Sequence, residues 1–247
     1  MIVIKTPEEV DRMRQSNRIA AGVRDRLARE IAPGVVTGDL DSLAAELMRA
    51  AGAESAFFRY RGYPGQICLS INEEVVHGIP GKRRIQPGDI VSMDVGVRCD
   101  GFVGDTAMTV AVGRIDPAVS RLVAAAEQAL CAGIAQAREG RHLSDISHAI
   151  ESVAVAGGFS VVRQFVGHGI GREMHEDPQV PNFGPPGKGP KLRAGMTLAI
   201  EPMLNLGGGE VDVLEDGWTV VTADRLPSAH FEHTVAIRDG DAEVLTR

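Results

Sequence analysis

Residues 89–110 read DIVSMDVGVRCDGFVGDTAMTV. Apolar side chains dominate 90–97 and return over 102–110, with Asp100-Gly101 between them. Asp and Gly both tolerate the positive φ of a tight turn, so the stretch predicts a β-hairpin. Asp94 falls inside the first strand and Asp105 inside the second, neither at an end. Pairing that sets Arg98 against Gly101 would place Asp94 directly opposite Asp105, on one face. Two facing carboxylates repel, and burial raises the cost, so a cation is expected between them.

Helices flank this hairpin. Thr6, Pro7 and Glu9 form a helix start, with a cap, a favourable first position and a capping box, before Ala20, Val23, Leu27 and Ile31 recur at helical spacing. A second helix is predicted from about Asp39 to Gly52. Asp116-Pro117 opens a third, and Ser144-Asp145-Ile146 a fourth that stops at Gly157-Gly158. At an offset of 106, Asp39 falls on Asp145, Leu40 on Ile146 and Gly52 on Gly158. The order suggests two related ααβ halves, about 1–112 and 113–247, within one catalytic domain. A site would then lie in the cleft between halves, where residues from both converge.

The second half supplies more acids and a histidine. His168 lies between Gly167 and Gly169, Glu201 ends the apolar run 196–200, and Glu232 sits in Ser228–Val235. With Asp94 and Asp105 this makes four carboxylates and one imidazole, all in apolar or glycine-rich strand contexts. Four carboxylates carry −4. Two divalent ions would balance them, whereas one would leave a buried surplus, so a dinuclear site is expected, its ions about 3.5–4 Å apart. Oxygen donors with one nitrogen suit Mn, Fe, Co or Zn.

Composition narrows the rest. The 247 residues carry a formal charge of −7, which argues against a DNA coat or a polybasic membrane binder. Cys68, Cys99 and Cys131 are dispersed, with no paired-cysteine zinc motif, which fits a reducing cytoplasm. No apolar run near 18 residues is evident by eye, so no membrane span is expected. Aromatic residues are scarce, yet Phe57, Phe58, Tyr60 and Tyr63 lie together.

The chain resembles the type I, bacterial-type methionine aminopeptidases of the pita-bread fold. The resemblance rests on Ser70–Pro80 (SINEEVVHGIP), Asp94 with Asp105, His168–Gly171, Ala199–Met203 and Glu232–Thr234. It implies an α+β fold of two pseudo-symmetric ααβ halves around a curved antiparallel sheet. It implies Asp94, Asp105, His168, Glu201 and Glu232 as metal ligands, with Asp105 and Glu232 bridging two ions. His77 and His175 would act on the substrate, and Glu201 would carry the proton. A hydroxide between the ions would attack the first peptide bond of a nascent chain whose second residue is small. Tyr60, Tyr63, Cys68 and Trp218 match the methionine pocket. Phe57 stands where some members have Cys, and Met174 where some have an aromatic residue. Asn72 and Ser228 match positions that line a site for Na or K.

Two rival readings share the fold: a prolidase or aminopeptidase P, and a non-catalytic binding relative. The first usually has an extra N-terminal domain, whereas Thr6 already opens the catalytic helix here. The second loses ligands, and all five are present. Lys82, Arg83 and Arg84, with Lys188, Lys191 and Arg193, form basic loops that could touch ribosomal RNA. A monomer is expected.

Overall fold

The computed structural model describes residues 1–247. The hairpin forms with strands Ile90–Cys99 and Phe102–Ala111, but in a different register from the expected one. Cys99 pairs with Phe102, so Asp94 faces Ala107 and Gly96 faces Asp105. The reason is the turn. Asp100 (φ 50°) and Gly101 (φ 76°) are both left-handed, so they form the two-residue loop themselves. The expected pairing had placed Cys99 and Asp100 there. Both registers keep Asp94 and Asp105 on one face, because the slip is an even number of positions. The two acids are diagonal neighbours.

The hairpin is the spine of a nine-stranded, wholly antiparallel sheet. Its main path runs Glu54–Ser55, Ile90–Cys99, Phe102–Ala111, Glu232–Ala236, Thr197–Ile200, Gly167–Gly169, Glu176–Val180. Cys68–Ile71 also pairs with Ile90–Cys99, in the register Cys68 to Asp94. Helices α1 (Pro7–Glu30) and α2 (Thr37–Ala50) precede the hairpin, and α3 (Pro117–Gln136) and α4 (Leu143–Ala156) follow it. The architecture is the pita-bread α+β fold. One apolar cluster joins α1 and α2 to Leu69, Val91, Met93, Val95 and Val97. A second joins α3 and α4 to Leu198, Ile200, Ala229 and Val235. Met108 packs against both, so the hairpin couples the two halves mechanically.

The capping box at Thr6 forms, with Glu9 N–H donating to Thr6 Oγ1 at 3.3 Å and Thr6 N–H to the Glu9 carboxylate at 3.0 Å. Helices α2 and α4 begin earlier than their side chains suggest, at Thr37 and Leu143. Distant carbonyls accept from the first N–H group of each helix, and in α4 the Asp145 carboxylate also accepts from the His142 N–H at 3.0 Å. Thr37 N–H donates to Arg83 O, and Leu143 N–H to Pro190 O, each at 3.0 Å. These contacts, like the bridges Val36 to Arg84 and His142 to Lys191, repeat at offsets of 106–107 residues. Contrary to the expectation of no such run, helix α3 has the length and mean hydropathy (1.3) of a membrane span. Its buried Leu122, Ala126 and Ala129 lie instead in one core with Ile146 and Ile150 of α4. Gly133 lets the two helices approach, because a Cβ there would lie 2.9 Å from Ile150 Cγ1.

Helix α1 anchors the hairpin beside Asp105. A Cβ on Gly104 would lie 2.6 Å from the Asn17 backbone, so only glycine lets the strand come this close. Arg12 bonds Asp100 at the turn, and both Arg12 and Arg172 lie over the Phe102 ring. The strand bearing Asp105 is therefore gripped along the residues that lead into it, from the turn to Gly104.

Candidate metal centre and substrate cavity

Register alone brings the acids together. Cys68 pairs with Asp94, Asp94 with Ala107, and Ala107 with Glu232. Directly paired residues share a face, so one row crosses four strands. Next, His233 pairs with Ile200, so the same register brings Glu201, one residue beyond its strand, beside Glu232. Ala107 contributes only a methyl group between two carboxylates, and Asp105 joins from two residues along. The His168 ring is 3.5 Å from Glu201 Oε1 and 3.9 Å from Asp105 Oδ2, measured from Nε2. Donor atoms of Asp105, His168 and Glu232 all lie within 4.8 Å of one another.

Burial defines the electrostatics. Asp105, His168 and Glu232 expose 4%, 6% and 2% of their surface. Burial, then repulsion from Asp105, pushes the Asp94, Glu201 and Glu232 carboxyls well above the usual range. Burial also raises Asp105, to about 7, against hydrogen bonds from Asp94 and the Thr106 backbone. Burial lowers His168 to about 3, with help from His175. Asp94 Oδ1, Asp105 Oδ1 and Glu232 Oε1 are buried without a hydrogen-bond partner. Orphaned carboxylate oxygens are costly, and cations would satisfy all three. The donor set, four carboxylates and one neutral imidazole, fits a divalent transition ion.

These residues form one end of a cavity of about 300 Å³. Phe57, Tyr60, Tyr63, Cys68, Phe165 and Trp218 supply its apolar and aromatic walls. The Trp218 ring meets Tyr63 edge-on at 5.1 Å and His77 at 6.2 Å. The Tyr63 hydroxyl donates to backbone carbonyls at Gly78 (2.9 Å) and Ile67 (3.1 Å), which fixes that wall. His77 follows strand Glu74–Val76 with φ 59°, and burial lowers it to about 4. His175 stacks on Tyr60, and the Tyr60 hydroxyl is 2.9 Å from its Nδ1. With Tyr60 as the donor, Nε2 carries the imidazole proton.

One expected wall residue, Met174, is displaced. Met174 is buried, outside the cavity lining, in a cluster against which Phe57 and Tyr60 pack. Its terminal methyl lies where a Gly96 side chain would be, so it supports Phe57 from behind. Phe58 is 42% exposed under the Arg59 guanidinium. Asn72 and Ser228 lie outside this cavity, joined by a Ser228 N–H to Asn72 O bond of 2.8 Å. Arg61, Gln164, Phe165 and Val166 also line the cavity, and no motif in the sequence marks them. They come from loops, where no periodicity marks a facing side chain.

A buried carboxylate cluster for metal, at the end of an apolar cleft between two ααβ halves, defines a metallopeptidase of the pita-bread class. The chain matches metallopeptidase family M24 over residues 11–239, and it belongs to that family. It is 48% identical to methionine aminopeptidase 1 of Bacillus subtilis (strain 168), over the full length of both chains. The methionine aminopeptidase structure from Thermotoga maritima superimposes with a TM-score of 0.99 at 45% identity, covering both chains completely. A prolidase from Pyrococcus furiosus shares the fold, with a TM-score of 0.81 at 22% identity; 99% of this chain covers 65% of that one.

Proposed function

We propose that the chain is a metal-dependent methionine aminopeptidase that removes the initiator methionine from nascent proteins whose second residue is small. The observation that carries this reading is the juxtaposition of a carboxylate row with one short aromatic cavity. A volume of about 300 Å³ suits one side chain and its peptide bond, at the small end of ligand pockets. The free α-amino group of a substrate would bind metal held at the carboxylate end, and only a chain terminus offers that group. Tyr63, Trp218, Cys68 and Phe57 would take the thioether.

Asp94, Asp105, His168, Glu201 and Glu232 would hold two divalent ions, from among Co, Mn, Fe and Zn. Bound there, such ions supply Lewis acidity, which acidifies water and polarises a carbonyl. The remaining work falls to the chain. Glu201, in the cavity lining beside His168, would carry a proton from water to the leaving amine. His77 and His175, both lowered by burial, are neutral at pH 7 and positioned to donate to the scissile carbonyl oxygen. Asn72 and Ser228 would add backbone oxygens for Na or K. The single catalytic unit would span 1–247 as two duplicated halves, monomeric and cytoplasmic.

Lys82, Arg83, Arg84, Lys188, Lys191 and Arg193 are all exposed and would support transient ribosome contact. Arg83 is already paired with Glu74 and Arg84 with Gly34 O, so the remaining four are the freer cations.

The substrate likeness rests on full-length relatives at 48% identity, whereas the prolidase likeness carries the fold alone. The test is turnover of Met-Ala-Ser against Ala-Pro-Ser by apo-protein titrated with Co, Mn, Fe or Zn, beside Asp105→Asn and Glu232→Gln. Met release that needs metal and falls at least about 100-fold in both variants is expected. Retained activity in either variant would sink the dinuclear assignment. Cleavage of Ala-Pro-Ser in preference to Met-Ala-Ser would sink the substrate assignment.

A further inference from the structure

His230 is the one buried group beside the carboxylate row with no role so far. It ends strand Ser228–His230, which pairs with Met203–Asn205, and only 2% of its surface is exposed. Its backbone is clamped. Its N–H donates to Thr109 Oγ1 at 2.9 Å, and the Thr109 hydroxyl donates back to its carbonyl at 2.8 Å. The side chain is not clamped: Nε2 is buried without any hydrogen-bond partner. That nitrogen stands 3.8 Å from Glu201 Oε2, while Glu201 Oε1 is 3.5 Å from His168 Nε2. The Glu201 carboxylate therefore lies between two imidazoles, one nearest each oxygen. Its main chain is held separately, by Asn182 Nδ2 donating to Glu201 O at 3.1 Å.

A buried polar nitrogen without a partner is rare, and here its nearest acceptor belongs to a candidate metal ligand. We infer that His230 is a positioning residue for the metal centre: its Nε2–H donates to Glu201 Oε2 and fixes the carboxylate so that Oε1 stays on the His168 side. The contact is longer than a hydrogen bond at 3.8 Å, and a small rotation of either side chain closes it. Leu or Phe would fill the same space without an orphaned nitrogen, so the polar ring is explained by what it faces. The inference rests on Glu201 being a metal ligand, as proposed above.

The experiment is Co(II) titration of the apo-protein by calorimetry and visible absorption, for the wild type, His230→Phe and His230→Gln. Thermal unfolding of each apo-protein is recorded alongside. His230→Phe should weaken Co(II) binding about 10- to 100-fold, the range for partners that orient metal ligands. It should leave apo unfolding near the wild type, which a purely packing role would not. His230→Gln, which keeps an N–H donor, should recover part of the affinity. A His230→Phe protein that binds Co(II) within twofold of the wild type overturns the inference. Should His230→Phe fail to fold, ¹⁵N-histidine spectra of the wild type decide. A protonated Nε2 at His230, shifted on Co(II) addition, upholds it, and an Nε2 without a proton overturns it. A wild type that binds no Co(II) overturns the metal-centre reading itself, a separate result from equal binding by wild type and variant.

Discussion

Gly96→Ala tests the cavity wall built from Phe57 and Met174. Gly96 pairs with Asp105 and is two residues from Asp94, so its missing side chain would point to the cavity face. A Cβ there would lie 2.5 Å from Phe57 Cε1 and 2.7 Å from Met174 Cε. Ordinary carbon contacts are about 3.5–4.0 Å, so each neighbour must yield by roughly 1 Å. Both obstructing atoms are ends of side chains, so the strand itself can stay in place. Met174 is walled in by Val10, Met13, Phe102 and Ile170, whereas Phe57 borders open cavity. The ring should therefore move into the substrate space. Overpacking of this kind costs about 1–3 kcal/mol. For a chain of this size that lowers Tm by roughly 2–4 °C per kcal/mol. The assays are thermal unfolding and steady-state kinetics on Met-Ala-Ser, with norvaline replacing Met in a parallel series. KM for the Met peptide should rise several-fold with kcat less affected, and the shorter norvaline side chain should lose less. A variant with wild-type Tm and wild-type KM would refute the reasoning.

Three further outcomes are expected. Divalent metal should stabilise the apo-protein by mass action, about 2.7 kcal/mol at a hundredfold excess over Kd, read as a rise in Tm that a chelator reverses; no rise would contradict the metal assignment. Tyr63→Phe removes the hydroxyl that two buried carbonyls share, and should cost about 1–2 kcal/mol in urea unfolding while leaving the metal stoichiometry intact. The third concerns His233, which burial lowers from the ordinary 6.5 to about 4 while its Nδ1 meets Thr246 Oγ1 at 2.8 Å. Because its folded value is depressed, the unfolded chain binds more protons between about pH 6.5 and 4. The His233 contribution to stability should be fully present above pH 6.5 and fall toward pH 4, so the difference between wild type and His233→Gln in denaturant titrations of the metal-free protein should shrink across that window; a difference that does not change with pH would refute it.

The five candidate ligands were legible as residue types in strand contexts, because a carboxylate inside an apolar run needs a local chemical reason. The helix starts of α1 and α3 were legible for a similar reason: Thr6 and Asp116 satisfy N–H groups within their own turn. The first residues of α2 and α4 were not, because carbonyls at Arg83 and Pro190 accept from their N–H groups across the fold. His230 was visible in the chain, yet nothing local distinguished it from a satisfied core histidine; its role depends on a Glu201 oxygen that only folding brings near. Met174 shows the converse. It follows the glycine-rich loop beside His175, yet Phe57 stands between it and the cavity.

What the amino-acid order determined by itself was alternation, caps and a turn: two acids on one face of one hairpin, between two pairs of helices. Those are short-range matters, decided by side-chain period and by the φ values that Asp100 and Gly101 allow. The tertiary structure decided which atoms meet. Whether Asp94 faces Asp105 or Ala107 is still a local matter, set by Asp100 and Gly101 as the two-residue turn, and either register keeps both acids on the same face. The row from Cys68 through Asp94, Ala107 and Glu232 to Glu201 joins residues more than 100 positions apart. No local preference encodes that row; it exists because strands from both halves pair in one sheet and bury their charges on a common face.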